Sequence, residues 1–379
     1  MWPFSKPKSY LGIDIGAGGI KVVELHQEKN RPVLFTYGYT SEDRNVHKLL
    51  KPTDKKIPNK TIGVPTEYNE EEISGTISNE HLEKYSQDII GICKQARTTA
   101  KTAVVSLPVS AVFHALVTLP MVKKEDLNSI LKAEITKLLP RPVEEMALDY
   151  QVLASGAEDK SQKVLVNAVP RDLVDFYARV FQKSGLILDS LEPESAALSR
   201  SLVGKDNSVS MVIDMGAERT NFFIIDQGVP VTHHSIETGG NKINSILQNI
   251  LGVDEKMTEQ IKFDLSKFLS PAQYNAKGNL LDIFMPVVDP IDKEIEYSFD
   301  LFLRQSGNES KSPEKIILTG GASFLPYLSQ YIADKFKMKC YIGDPWARVV
   351  HQDSLGPLLH EIGPRMSVAI GLALRNMLN

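Results

Sequence analysis

The run Leu11-Gly12-Ile13-Asp14-Ile15-Gly16-Ala17-Gly18-Gly19-Ile20-Lys21 ends an apolar segment on an aspartate and follows it with a glycine-dense turn. Glycine accepts positive φ and has no Cβ, so backbone N–H groups at such a turn can close around a bulky anion. Asp14 faces the same space. A carboxylate and a phosphate share a space only with a cation between them. Magnesium, a hard ion that bridges both groups and often does so through water, suits that place. Taken alone, the stretch reads equally well as an ordinary tight hairpin.

The pattern recurs in the second half of the chain, where Ile13, Asp14, Gly16 and Ala17 reappear as Ile213, Asp214, Gly216 and Ala217. A repeat of about half the chain is far too long for a solenoid. It implies two related lobes, each offering a hairpin and a carboxylate to one phosphate chain.

The elements that must hold these hairpins follow from the rest of the chain. A length of 379 residues allows about two or three domains with sizeable cores. A hydrophobic fraction of 42% and a charged fraction of 24% are those of a soluble globular protein. The net charge of −4 argues against nucleic acid as a partner. Cys93 and Cys340 have no neighbours at metal-ligand spacing, which suits a reducing cytosol. No apolar run approaches the roughly 20 residues of a spanning helix, and the N-terminus is too short in apolar residues for a signal peptide. Trp2 and Phe4 beside Lys6 and Lys8 suit either a membrane or partner contact or a frayed tail.

After a strand over 33–39, the polar segment 41–79, with Lys51, Lys55, Lys56 and Lys60, reads as a loop-rich insertion holding one short strand at 61–64. A helix over 81–96 and a strand over 102–107 complete the first lobe. A strand at 112–119, a helix at 126–139, strands at 148–153 and 164–169, a helix at 171–184 and a strand at 186–190 then read as an inserted α+β module of the split type. Helices rich in small residues, suited to close interlobe crossing, are expected at 192–202 and 362–374. Between them come helices at 243–251, 257–269 and 290–303. A strand, glycine turn and helix start follow at 315–326, and amides at a helix start suit a phosphate or ribose.

The order hairpin, small-residue helix, hairpin, strand-Gly-Gly-helix, small-residue helix resembles the five-part nucleotide signature of the actin-like ATPase superfamily, over nearly the whole chain. The inserted module is similar to the one carried by its FtsA and PilM branches. Gly12-Ile13-Asp14-Ile15-Gly16, Lys21-Val22-Val23-Glu24-Leu25 and Val368-Ala369-Ile370-Gly371-Leu372-Ala373-Leu374-Arg375 look most like the PilM family, the cytoplasmic actin-like component of type IV pilus assembly.

That resemblance implies an α/β, two-lobed actin-like ATPase fold: duplicated ribonuclease-H-like lobes with a small α+β subdomain inserted in the first. The first lobe would span 1–110, bridged by 191–205 and 365–379, with the insertion at 111–190. The second lobe's core would span 206–240 and 310–364, and its outer subdomain 241–309. The resemblance further implies ATP and magnesium as ligands, with Asp14 and Asp214 on the magnesium side through water. Gly16, Gly18, Gly19 and Lys21 would bind phosphate from the first lobe, and Gly216, Ala217 and Thr220 from the second. Gly239, Gly240 and Lys242 resemble the ribose-side turn, and Glu259 and Lys262 the Glu-x-x-Lys helix beside adenosine. Gly320, Gly321 and Ala322 resemble the adenosine loop, and Glu194 stands where relatives orient the attacking water.

Plainer roles stay open beside these: a solvent-facing lysine for Lys21, a helix-surface position for Glu194. The family usually has hydroxyl residues where this chain has Gly18 and Gly19, so only backbone remains there to meet phosphate. His233 and His234 are adjacent but lack a third ligand at metal spacing, and on a strand they point to opposite faces. The implied partner is a PilN-like inner-membrane protein, taken by its cytoplasmic N-terminal peptide, which places the chain at the inner face of the membrane. Self-association into a ring or filament stays open. FtsA-like chains continue to an amphipathic membrane helix, and none is visible before Asn379, so no direct membrane insertion is expected. Two rival functions share the site: an FtsA-like division filament and a small-molecule kinase, the latter needing an acceptor-facing aspartate beyond the two loop aspartates.

Overall fold

The computed structural model describes residues 8–40, 79–153, 161–268, 280–305 and 307–377. The tail at 1–7, the basic loop with its expected strand at 61–64 and the turn around Gly156 lie outside the described residues. The first hairpin joins β1 (Ser9–Gly16) to β2 (Gly19–Glu28), with Asp14 opposite Lys21 and Gly16 opposite Gly19; β3 (Arg31–Tyr39) extends it. Helix α1 (Asn79–Ala96) buries Leu82, Tyr85, Ile89 and Ile92, the face its spacing marks out. Strand β4 (Thr102–Leu107) runs parallel to β1.

The chain then leaves the lobe to build β5 (Phe113–Pro120), α2 (Lys124–Ile135), β6 (Met146–Val152) and β7 (Ser161–Pro170), a sheet of order β5-β7-β6. Leu127, Leu131 and Ile135 of α2 pack on Leu119, Val164 and Val166. Helix α2 closes at Ile135, short of residue 139, because its chain tightens ahead of Pro140.

The expected last helix and strand of the inserted module belong elsewhere. Strand β8 (Ile187–Pro193) pairs in parallel with β4 as the edge of the first lobe's sheet. Helix α3 (Arg171–Lys183) buries Leu173, Phe176, Tyr177, Val180 and Phe181 in the first lobe's core. The reason is topological: two parallel neighbours need a crossover, and α3 is the helix that covers the sheet between them.

Helix α4 (Glu194–Leu198) widens into a π turn through Val203 and leads to the second lobe. There β9 (Ser210–Met215), β10 (Thr220–Asp226) and β11 (Val229–Ile236) repeat the opening meander. Next come α5 (Gly240–Leu251), α6 (Glu255–Phe268) and α7 (Met285–Leu303). Helix α7 starts ahead of residue 290, since Pro286 sits in its first turn, where a missing N–H costs nothing, and Pro290 lies inside. The described chain closes with β12 (Lys315–Thr319), α8 (Leu328–Phe336), β13 (Lys339–Ile342) and α9 (Gly356–Leu374).

Among the described residues the two lobes have matching five-stranded sheets, β3-β2-β1-β4-β8 and β11-β10-β9-β12-β13. The duplication read from two short hairpins therefore extends to whole sheets. Between the lobes a mixed core brings Val104 and Val109 against Val212, Phe223 and Ile317, with Ala197 and Leu198 of α4 and Val368 and Leu372 of α9 among them. Helix α9 meets both α4 and β1 almost backbone to backbone: a Cβ on Gly371 would stand 1.9 Å from the Ala197 carbonyl oxygen, and one on Gly12 2.1 Å from that of Ala369. Among the described residues, no helix is long and apolar enough to cross a membrane.

Candidate functional site

The two hairpins face each other across a cleft of about 790 Å³. Their tips come together: a Cβ on Gly18 would lie 3.1 Å from that of Ala217. At this end the cleft is lined by three carboxylates, Asp14, Asp214 and Glu194, and by one lysine, Lys21.

Asp14 is buried and tied down from two sides. Ser106, from β4, donates its hydroxyl to Asp14 Oδ1 at 2.7 Å, and Lys21 Nζ lies 3.5 Å from Asp14 Oδ2. The Ile15 N–H donates to the same Ser106 hydroxyl at 3.3 Å. Lys21 Nζ also donates to the Gly19 carbonyl at 3.1 Å, so the lysine turns into the cleft rather than toward solvent. Asp214 occupies the equivalent place in the second lobe, but its cross-strand neighbour is Asn221. Asn221 takes the Ser235 hydroxyl on Oδ1 at 2.8 Å and donates from Nδ2 to Glu194 Oε2 at 3.3 Å. Glu194, first residue of α4, accepts the Val109 N–H at 3.4 Å on the same oxygen.

Three acids, Asp14 and Glu194 buried and Asp214 partly so, with one lysine are short of positive charge. Burial, then repulsion from Asp14 and Asp214, pushes the Glu194 carboxyl well above the usual carboxylate range. Burial and Asp14 push Asp214 up to about 6. Among the described residues, no three His, Cys, Asp or Glu side chains stand close enough to hold a metal ion directly. Asp14 and Asp214, one on each facing hairpin, are oxygen donors of the kind a hard cation takes, directly or through water.

The strain of Asp214 has a readable consequence. Its carboxyl binds a proton more tightly folded than unfolded, so the folded state carries the excess proton between pH 4 and pH 6. Stability of the ligand-free protein should fall as pH rises through that window. Asp214→Asn should flatten this part of the profile and stabilise the protein at pH 7 by on the order of 1–3 kcal/mol. Chemical denaturation at pH 5 and pH 7 measures both; an unchanged slope would remove the burial argument.

The opposite end of the cleft is polar. Glu259 Oε1 accepts from Lys262 Nζ at 2.7 Å and Asn244 Nδ2 at 2.5 Å, and Lys262 also donates to Asn244 Oδ1 at 2.8 Å. Burial works against the Glu259 charge, but these hydrogen bonds hold its carboxyl below the usual range, while burial pushes Lys262 down. Gly320 takes φ +86°, and a Cβ there would meet Asp214 Oδ1 at 2.5 Å, so this turn passes directly over the second carboxylate.

Of the residues singled out in the sequence, Asp14, Gly16, Gly18, Lys21, Glu194, Asp214, Gly216, Ala217, Gly240, Glu259, Lys262, Gly320, Gly321 and Ala322 line the cleft together. Four do not. Thr220 is fully buried and donates its hydroxyl to the Thr238 carbonyl, which leaves it no donor for a ligand. Gly19 makes the turn at φ +107° under the Thr40 carbonyl. Gly239 is pressed against the Gly216 and Ala217 carbonyls, and Lys242 is exposed outside the cleft, on the first turn of α5. The Gly320-Gly321 turn is also not a helix start, since α8 begins only at Leu328.

The structure adds Asn221, Arg219, Asn244, Tyr39 and Arg365 to the lining. Asn221 was within reach of the repeat, as it holds the place of Lys21; Tyr39 and Arg365 carry no local signal. Arg219, placed where the first hairpin has Gly19, pairs with Glu237. His233 and His234 lie on β11 and face opposite ways. His233 Nε2 meets Ser195 Oγ at 2.6 Å and its ring stacks on His114 at 3.8 Å, whereas His234 Nδ1 lies 3.2 Å from Glu294.

Comparison with known proteins agrees with this architecture. A solved structure described as the PilM-PilN type IV pilus biogenesis complex is similar over 97% of this chain and 98% of its own, at 22% identity and a TM-score of 0.76. The ethanolamine utilization protein EutJ from Carboxydothermus hydrogenoformans is similar over 98% of this chain and 91% of its own, at 14% identity and a TM-score of 0.52. At these identities the likeness is one of fold, and the fold is the two-lobed actin-like one. The family model of the type IV pilus assembly protein PilM matches residues 66–377, a span running from ahead of α1 to the end of the described chain. The chain belongs to the PilM family of type IV pilus assembly proteins.

Proposed function

We propose that the cleft binds ATP with magnesium and that its occupancy sets the affinity of the protein for the cytoplasmic N-terminal peptide of a PilN-like inner-membrane protein. The observation that carries the nucleotide reading is the pair of hairpins meeting at Gly18 and Ala217 with three carboxylates and one lysine around them. An acidic, anion-shaped end makes sense with a cation and a phosphate chain filling it together. Asp14 and Asp214 would hold magnesium through water, and the ion supplies the positive charge that this end lacks.

The rest falls to the chain's own groups. Ser106 fixes the rotamer of Asp14, and Lys21 presents its ammonium between Asp14 and the Gly19 carbonyl. Asn221 and the Val109 N–H aim Glu194. In any turnover Glu194 is the group placed to orient a water, since phosphoryl transfer depends on in-line positioning and charge stabilisation. With Gly18 and Gly19 in place of hydroxyl residues, phosphate contact on the first lobe comes from backbone amides and Lys21.

The partner reading is supported by family membership and by the fold shared with the solved PilM-PilN complex. A ligand that binds the closed cleft better than the open one must shift the lobes, and the peptide surface with them, by its difference in affinity. The test is a calorimetric titration of a peptide copied from the cytoplasmic N-terminus of the host's PilN-like protein, with and without MgATP. Saturable binding whose affinity changes at least threefold with MgATP is the expected result. No binding in either state, by folded and nucleotide-competent protein, would favour the division-filament reading. Equal binding in both states would remove the coupling alone.

A further inference from the structure

The roles assigned so far leave Arg365, a half-buried cation of the cleft, without a task. Arg365 lies on α9, and the carbonyl of its neighbour Pro364 accepts the Gly320 N–H at 3.0 Å. The side chain therefore stands beside the Gly320-Gly321 turn, with its Nε 3.4 Å from where a Cβ on Gly321 would sit. Across from it is Tyr39, at the end of β3, whose ring centroid lies 5.3 Å from the guanidinium carbon. That distance is within cation–π range. Among the described residues, this ring is the partner of the half-buried guanidinium, and no hydrogen bond or ion pair engages its five N–H donors.

The surroundings say what is missing. Glu259, Lys262 and Asn244 are bonded to one another. The wall beside the arginine is Gly321 and Ala322, which offer nothing larger than a methyl group. The electrostatics separate the two ends of the cleft: Glu259 and Lys262 feel Arg365, whereas Asp214 and Glu194 feel Lys21. Arg365 is thus a planar cation beside the Gly320-Gly321 turn, within the field of Glu259 and Lys262, lining the cleft and backed by an aromatic ring. A guanidinium so placed stacks on flat π systems, which an ammonium does not do.

We infer that Arg365, seated on Tyr39, is the surface on which the base of the bound nucleotide stacks. The inference rests on the nucleotide reading above and specifies which residues hold the base. Because Tyr39 comes from the first lobe and the Gly320-Gly321 turn from the second, the base platform joins both lobes, and a base seated there favours the closed cleft.

The test uses the full chain and two ligands, MgADP and magnesium tripolyphosphate, the second having neither base nor ribose. Calorimetry of wild type, Arg365→Ala, Arg365→Lys and Tyr39→Leu should show about tenfold weaker MgADP binding for both Arg365 variants. Tyr39→Leu should show a smaller loss, and tripolyphosphate affinity should stay within twofold of wild type throughout. Unchanged MgADP binding in Arg365→Ala would overturn the inference. So would a parallel loss of both ligands, or full recovery in Arg365→Lys, since either would make Arg365 a charge rather than a plane. Should Arg365→Ala fail to fold, or tripolyphosphate bind too weakly to titrate, the lysine variant still separates plane from charge. Failure of wild type to bind MgADP at all would overturn the nucleotide reading itself.

Discussion

Replacing Asp14 with alanine should weaken MgATP binding on the order of a hundredfold, the scale of losing a charge-assisted contact in a dry site. Asp14 is the acid engaged on both oxygens, taking the Ser106 hydroxyl on one and standing 3.5 Å from Lys21 on the other. Removing it takes away one of the two carboxylates that would hold magnesium and leaves Lys21 with the Gly19 carbonyl as its remaining bonded neighbour. Asp14→Asn keeps an acceptor for Ser106 while discarding the charge, so its loss should approach that of alanine if charge is what matters. Ser106→Ala should cost less, as the carboxylate remains. Unchanged MgATP affinity in Asp14→Ala, measured by calorimetry on folded protein, would sink the site assignment.

Gly371→Ala should destabilise the protein by about 3 kcal/mol, the upper range for overpacking a tight contact. The added methyl would stand 1.9 Å from the Ala197 carbonyl oxygen, and backbone atoms on both sides leave it nowhere to go. One helix must therefore move off the other, and both carry the mixed core between the lobes. A matched control lies on the same helix: Gly356 opens the first turn of α9, with nothing within 4 Å of its missing Cβ, and is already helical. Gly356→Ala should be neutral or stabilising by up to about 1 kcal/mol. Urea denaturation of the pair separates crowding at the crossing from any general effect of alanine in α9. Equal stability of the two variants would show that the crossing relaxes freely.

The two hairpins and the small-residue helices were legible because their chemistry is local. A carboxylate, a positive-φ turn and a run of alanines and glycines each state their requirement within a few residues. The same holds for the Glu259–Lys262 pair, one helical turn apart. What failed was whatever tertiary pairing decides. Nothing local distinguishes β8 as a partner of β4 from β8 as a partner of the inserted sheet; the crossover through α3 settles it. The family resemblance implied Thr220 as a phosphate ligand. Register instead sets it opposite Met215 with its hydroxyl on Thr238, and turns the neighbouring Asn221 toward the cleft. Tyr39 and Arg365 lie at distant points of the sequence and acquire meaning only when α9 brings them together.

The place of α9 in the chain bears on how the protein is made. Its Met366, Ala369, Ile370 and Ala373 cover Val23 and Leu25 of β2, a strand synthesised near the start. Until the ribosome has delivered α9, that face of the first sheet stays bare, even though every strand of the sheet precedes it in the chain. Early hairpins can form, but the lobe they belong to waits for contacts of very large sequence separation, which slow folding and leave apolar surface open to aggregation. Nascent chains stalled ahead of residue 356 should therefore hold a collapsed but unsealed first lobe, the species a chaperone would bind. Arrival of α9 both seals that lobe and sets the second beside it.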